Sequence, residues 1–194
     1  MKTIKLKSLG LTGAEWIKRL EKKCKLSDYA KAILNSPDFK PAKKGTKYEI
    51  TIVKVSDIGD KSYYTTKEIQ KYASTKGYET TNAEVGCLLR EVLRDKDIKA
   101  LGVWYVTTFH TPIEAYGDPR FLGSDRFDEG DWLRTYWAGP DDDWSDHSAF
   151  AFGLPQVRTQ SSEPENLPSD TQSLELRVSS IESDMEKIKK IINI

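Results

Sequence analysis

The groups on which chemistry could rest are a run of carboxylates, two histidines and two cysteines. Asp141, Asp142, Asp143 and Asp146 form the densest acidic cluster, and Ca2+ draws several oxygen ligands from loops of this kind. The spacing lacks the alternating ligands and the glycine of an EF-hand loop. A solvated acidic turn is therefore the favoured reading, with Ca2+ as the alternative and no other cofactor expected. A glycosidase would need two carboxylates across a cleft, one of them with a raised pKa, and Asp125, Glu129 and Glu114 are the candidates. Cys87 with His110 or His147 would make a nucleophile and its base. Cys87, however, sits in GCLLREVL on an apolar helix face and reads as an inert thiol, and His110 falls in a strand, where packed or hydrogen-bonded histidines are the rule. There is no phosphate-cradling glycine loop, no Cys-x-x-Cys and no HExxH. No catalytic residue and no metal ligand is assigned.

Recognition is the better-supported chemistry. Residues 117–152, GDPRFLGSDRFDEGDWLRTYWAGPDDDWSDHSAFAF, hold three of the five tryptophans and no lysine, whereas the residues before Leu101 are lysine-rich. Tyr and Trp give large rigid contact area at small entropic cost, and Asp, Ser and Arg between them give directional hydrogen bonds. The tract reads as an aromatic and acidic binding face for a protein or carbohydrate ligand. Its counter-reading is a β-rich region whose tryptophans are simply buried.

Net charge is zero but unevenly spread: +8 over residues 1–50, +1 over 51–100, −6 over 101–160 and −3 over 161–194. A neutral chain with an acidic aromatic half argues against nucleic acid, whose binders carry a clustered basic face. The early lysines alternate with apolar residues and read as a solvated helix face. Cys24 and Cys87 both fall on apolar helix sides, which favours two buried thiols over a disulfide. MKTIKLKSLGLTGAEW has no continuous apolar core of a signal peptide, and no run reaches the roughly eighteen apolar residues of a membrane span. The expected compartment is the cytoplasm; display on a surface or virion would leave the same sequence.

Positioning elements follow from capping and periodicity. Thr12-x-x-Glu15 opens a helix over about 13–25 with Trp16, Ile17, Leu20 and Cys24 on one side, and Ser27 opens a second, with Tyr29, Ile33 and Leu34, that Pro37 stops. KYEITIVKV, 47–55, is a strand. Thr65-x-x-Glu68 and Thr81-x-x-Glu84 open two more helices, the first ending near Gly77 and the second carrying Val85, Leu88, Leu89, Val92 and Leu93. VWYVTTFHTPI is a strand ended by Pro112, turn signals then separate two or three short strands, and SAFAFGLP, 148–155, is the last strand. The fold class is α+β, divided into an N-terminal helical segment 1–46, a domain 47–154, a linker 155–171 rich in Ser, Glu and Pro, and a helix 172–194. That helix carries a heptad seam, with Val178, Met185 and Ile192 at a and Leu174, Ile181 and Ile188 at d. In a parallel coiled coil Arg177 faces Glu182 of the neighbour and Asp184 faces Lys189, and isoleucine at both core positions favours three strands, so self-association as a homotrimer is expected. Its alternative is an amphipathic helix folded back on the domain.

The order strand, helix, helix, strand, aromatic tract and final strand from Tyr48 to Leu154 resembles the C-type lectin-like fold, in which first and last strands pair. The spacing of Arg126, Trp132, Trp144 and AFAF resembles the variable proteins of diversity-generating retroelements, which use that fold. LTGAEWIKRL, FHTPI and AFAF also resemble stretches of other short bacterial proteins. In the retroelement family, mutagenesis rewrites asparagine codons on the binding face, and no Asn occurs here between Asn82 and Asn166. The resemblance implies a contact set at loop positions, Asp125, Phe127, Arg134, Tyr136, Trp137, Asp142, Ser145 and His147, on a scaffold of Arg126, Trp132, Trp144, Phe150 and Phe152. Phe127, Tyr136 and Trp137 should then be exposed, Trp132 and Trp144 buried. The linker and coil depart from the family pattern, and the first helices have no family role. The resulting expectation is a non-enzymatic ligand-binding protein gathered by its coil. The alternatives are a small hydrolase acting on carbohydrate or cell wall, and a phage or cell structural component.

Overall fold

The computed structural model describes residues 2–127 and 130–155. The linker and the coiled-coil helix therefore lie outside the described residues, as does Glu129.

Among the described residues ten strands and five α-helices follow one another in the order β1 (Lys2–Lys7), α1 (Gly13–Leu20), β2 (Lys25–Leu26), α2 (Asp28–Asn35), β3 (Lys47–Lys54), β4 (Tyr63–Thr65), α3 (Thr66–Thr75), α4 (Glu84–Val92), α5 (Asp95–Ala100), β5 (Tyr105–Thr108), β6 (Ile113–Ala115), β7 (Asp118–Phe127), β8 (Gly130–Trp137), β9 (Asp143–Ser145) and β10 (Ser148–Gly153). The class is α+β. The main sheet runs β1-β3-β10-β5-β7-β8-β2, with β6 also on β7, while β4 and β9 form a small second sheet. β10, at its centre, is antiparallel to β3, with Phe150 opposite Val53, and parallel to β5. Segments near Ile50 and Phe150 thus lie side by side, as expected from the sequence.

Strand β10 shows why the sheet is filled on both faces. Ala149 and Ala151 enter a core with Trp16, Leu20, Ile33 and Leu89 from the helices, whereas Phe150 and Phe152 enter a second core with Val53, Ile69, Phe109, Phe121 and Trp144. A strand buried on both sides reads as a near-continuous apolar run, and AFAF is one. Each buried phenylalanine contributes roughly 1.5–3 kcal/mol.

The helix starts at Thr12, Ser27 and Thr65 are as the sequence implies: Thr12 and Thr65 form full capping boxes, and the Ser27 hydroxyl accepts the Ala30 N–H. Thr81 differs. Its N–H and hydroxyl both donate to the Phe109 carbonyl, and α4 begins after Ala83 without a side-chain cap. Glu84, instead of closing a box, is buried and accepts the backbone N–H groups of Leu9 and Ala42. The first helix ends at Leu20, not near 25, because the Lys23 and Cys24 N–H groups both turn back onto the Leu20 carbonyl and release Lys25 and Leu26 to pair with β8. With β1 on β3 and β2 on β8, the expected N-terminal helical segment 1–46 also contributes two strands to the main sheet. Between residues 117 and 137 the short strands expected are one long hairpin, β7 with β8, registered from Arg120 opposite Trp137 to Phe127 opposite Gly130.

Candidate functional site

Alternation along this hairpin divides the expected contact set between two faces. On the face toward Phe150, Asp125 and Tyr136 come together with Arg134. The Tyr136 hydroxyl donates to Asp125 Oδ1, Arg134 Nε lies 3.3 Å from Asp125 Oδ2, and the Tyr136 ring stacks on Tyr105 with centroids 4.1 Å apart. Asp125 is 0% exposed. Burial pushes its carboxyl up to about 6 against the opposing pull of Tyr136, Arg134 and Arg90. Burial likewise raises the Tyr136 phenol, aided by the Asp125 charge. Gly123 makes the arrangement fit: a Cβ there would stand 2.6 Å from Tyr136 Cε2. These residues are strand positions of a packed polar network. Asp125 cannot touch a ligand, and as a glycosidase acid it would be out of a substrate's reach.

The turn end of the hairpin is fixed by Arg90 of α4. Its Nη1 donates to the carbonyls of Asp125 (3.1 Å) and Trp132 (3.3 Å), and Nη2 donates to the Leu93 carbonyl and pairs with Asp131 at 3.1 Å. Trp132 is half-buried rather than buried, with Arg134 4.3 Å and Lys25 5.3 Å from its ring centre. Trp144 is buried, its indole N–H donating to the Thr66 hydroxyl at 2.8 Å. Arg126 is scaffold, donating from Nε to the Val103 carbonyl at 2.7 Å.

Trp137 lies on the opposite face, and there the sheet builds a surface patch. Arg120, directly across the hairpin, places its guanidinium carbon 3.5 Å from the centre of the Trp137 ring and 4.5 Å from that of Tyr29, the second residue of α2. Tyr29 in turn meets Tyr116 edge-on at 4.9 Å. Arg120 is only 7% exposed, whereas Tyr29, Trp137 and Tyr116 expose 38%, 50% and 70%. Asp118 pairs with the guanidinium at 3.3 Å, and Arg120 Nε has no hydrogen-bond partner. Tyr116 and Gly117 form the two-residue turn between β6 and β7, with φ of 54° and 87°. Both values belong to the primed turn that suits a twisted hairpin, and Tyr116 is the one non-glycine with positive φ among the described residues. Such a conformation costs about 1–3 kcal/mol and is retained where the surroundings impose it. Here it lifts an aromatic ring into solvent against Tyr29.

The remaining candidates are peripheral. Phe127 ends β7 opposite Gly130, and its exposure lies outside the described residues. The Asp142 carboxylate accepts the Gly139 N–H at 2.7 Å and closes a turn, and Ser145 belongs to β9, opposite Tyr63. His147 is exposed beside Asp146 at 3.5 Å. Among the described residues no group of three or more His, Cys, Asp or Glu side chains is arranged to hold a metal ion. His110 is buried and structural: Nε2 accepts the Leu122 N–H and Nδ1 lies 2.7 Å from the Thr111 carbonyl, while burial lowers its pKa to about 4. Burial raises the Cys87 thiol well above its ordinary value and the Cys24 thiol to about 11. Among the described residues no helix is long and apolar enough to cross a membrane.

Sequence reasoning missed Tyr29, Arg120 and Tyr116. Tyr29 shares helical spacing with the core residue Ile33 but sits in the first turn, at the sheet margin, and Tyr116 was legible only as a turn residue. Cross-strand register, which joins Arg120 to Trp137, was the absent signal. No family model, no curated protein and no solved structure matches the chain.

Proposed function

We propose that this is a non-enzymatic recognition domain of C-type lectin-like architecture, which captures its ligand on the patch of Tyr29, Arg120, Trp137 and Tyr116. The observation that carries this is the half-exposed Trp137 ring held from behind by a nearly buried Arg120 at 3.5 Å. A rigid aromatic side chain loses little freedom on binding, and a ring backed by a fixed cation is already in its bound position. The architecture is supported by the sheet order, in which the final strand β10 lies between β3 and β5, with β4 and the helices α3, α4 and α5 between those two strands in the chain. The coil of residues 172–194 would gather copies into a trimer, which raises effective affinity through avidity.

The same reading includes the retroelement likeness. Sibling genes should differ at exposed positions of the tract, such as Trp137 and His147, and agree at Asp125, Tyr136 and Trp144.

The test is a panel of immobilised glycans and displayed peptides probed with the full chain and with Tyr116→Ala/Trp137→Ala. Capture that disappears in the double variant, with unfolding free energy changed by no more than about 2 kcal/mol, supports the reading. Capture by neither class of ligand, or capture that the double variant retains, sends the patch to the structural-component reading.

A further inference from the structure

The outer edge of β8 carries an unfinished hydrogen-bond ladder. The Leu133 carbonyl points outward and accepts the Ser27 N–H at 3.1 Å, whereas the Ala138 N–H points inward and donates to the Pro119 carbonyl of β7's strand at 3.0 Å. Backbone groups of successive strand residues alternate between neighbours, so the N–H and C=O of Thr135 and Trp137 face outward. β2 pairs only with Trp132 and Leu133, and among the described residues no strand continues it alongside Thr135 and Trp137.

The two margins of the sheet differ in how they treat such an edge. β1, at one margin, reads KTIKLK, with lysines at 2, 5 and 7, and charged side chains of this kind are the usual deterrent to strand addition. β8 reads GDWLRTYW, with no lysine and no proline, and its pairing with β7 runs without a bulge. An edge without lysine or proline beside an exposed aromatic patch suits a partner strand.

We propose that an extended segment of a partner polypeptide adds to β8 beside Thr135 and Trp137, and that its side chains alternate between apolar and acidic. Strand addition supplies affinity through main-chain hydrogen bonds and specificity through alternate side chains. Side chains on the Trp137 face meet that ring and Tyr29, which calls for apolar groups. Those on the other face meet the margin where Arg134 and Lys25 both lie over Trp132, which calls for carboxylates. Neither cation has to leave its present contacts, because a guanidinium has five donors and an ammonium three. The proposal rests on the recognition reading above and names its partner.

Selection of a displayed random peptide library on the full chain tests it, with the glycan panel in parallel. Peptides of alternating apolar and acidic pattern should be enriched. They should bind Thr135→Pro at least about tenfold more weakly, since proline removes one outward N–H and sets a ring in the partner's place. Thr135→Val should bind undiminished. Proline is tolerated on an edge strand where the N–H faces solvent, so the fold should persist. Amide exchange provides a readout that needs no variant: the Thr135 and Trp137 amides should exchange freely alone and become protected with peptide bound, while Arg134 and Tyr136 are protected throughout. Peptides that bind Thr135→Pro equally well, or leave those two amides unprotected, overturn the proposal. Capture of glycans alone, dependent on Trp137, overturns it while leaving the recognition reading intact. Capture of nothing overturns both.

Discussion

Asp125→Asn should remove a pH dependence that the wild-type fold carries. Asp125 has no exposed surface, and burial moves its carboxyl from 3.8 to about 6, against the lowering influences of Tyr136, Arg134 and Arg90. Two pH units between folded and unfolded values correspond to roughly 3 kcal/mol, an upper bound for one site. The sign follows from proton counting. Between about pH 4 and pH 6 the folded chain keeps a proton that the unfolded chain has released, so this group's favourable contribution is complete below the unfolded value and disappears as pH rises through the folded one. Asn at 125 keeps an oxygen for the Tyr136 hydroxyl but cannot ionise, and the half-exposed Arg134 can turn to solvent. Urea unfolding of both proteins at a series of pH values isolates the site, since most other titrating groups cancel in the difference. The stability of wild type minus variant should fall by about 2–3 kcal/mol from pH 4 to pH 7. Parallel curves would refute the reasoning. So would a difference that rises with pH, because Arg134 and Tyr136 would then be holding Asp125 ionised.

Gly123→Ala should cost about 1–3 kcal/mol in unfolding free energy, because a methyl 2.6 Å from Tyr136 Cε2 forces that ring off Tyr105 and off Asp125. Near-ultraviolet circular dichroism should report the broken stack, and an unchanged spectrum with unchanged stability would count against the packing described. For the coil, light scattering on the full chain should give a trimer and on a chain ending at Gln160 a monomer. Ile181→Asp should dissociate the trimer without unfolding the domain, because it places a charge in the seam alone; a full chain that is already monomeric would remove the coiled coil.

What the sequence discloses here divides along physical lines. Capping boxes at Thr12 and Thr65, the buried run AFAF and the β-branched strand read at 47–55 are local patterns, and each element lies where its pattern indicates, although Ile50 to Val53 are buried in succession rather than in alternation. β1 and α5 were illegible because KTIKLK and DKDIKA are dominated by lysine and aspartate, and only pairing with β3 and docking of Ile98 in the core give them their form. Thr81-x-x-Glu84 has the composition of a capping box, yet tertiary demand overrides it: the buried Glu84 carboxylate accepts two backbone N–H groups, of Leu9 and Ala42, and a carboxylate so used cannot reach back to its own helix. The expected contact set is divided by another non-local feature, the pleat of the hairpin. The resemblance implies loop positions on one surface, whereas strand alternation sends Tyr136 inward to Asp125 and its neighbour Trp137 outward to Arg120. A binding face on a sheet is a property of register, and register joins Trp137 to residues 17 and more positions away in sequence. That is why Arg120, unremarkable between Pro119 and Phe121, and Tyr29, read as a core residue of a short helix, become parts of the patch only in the folded chain.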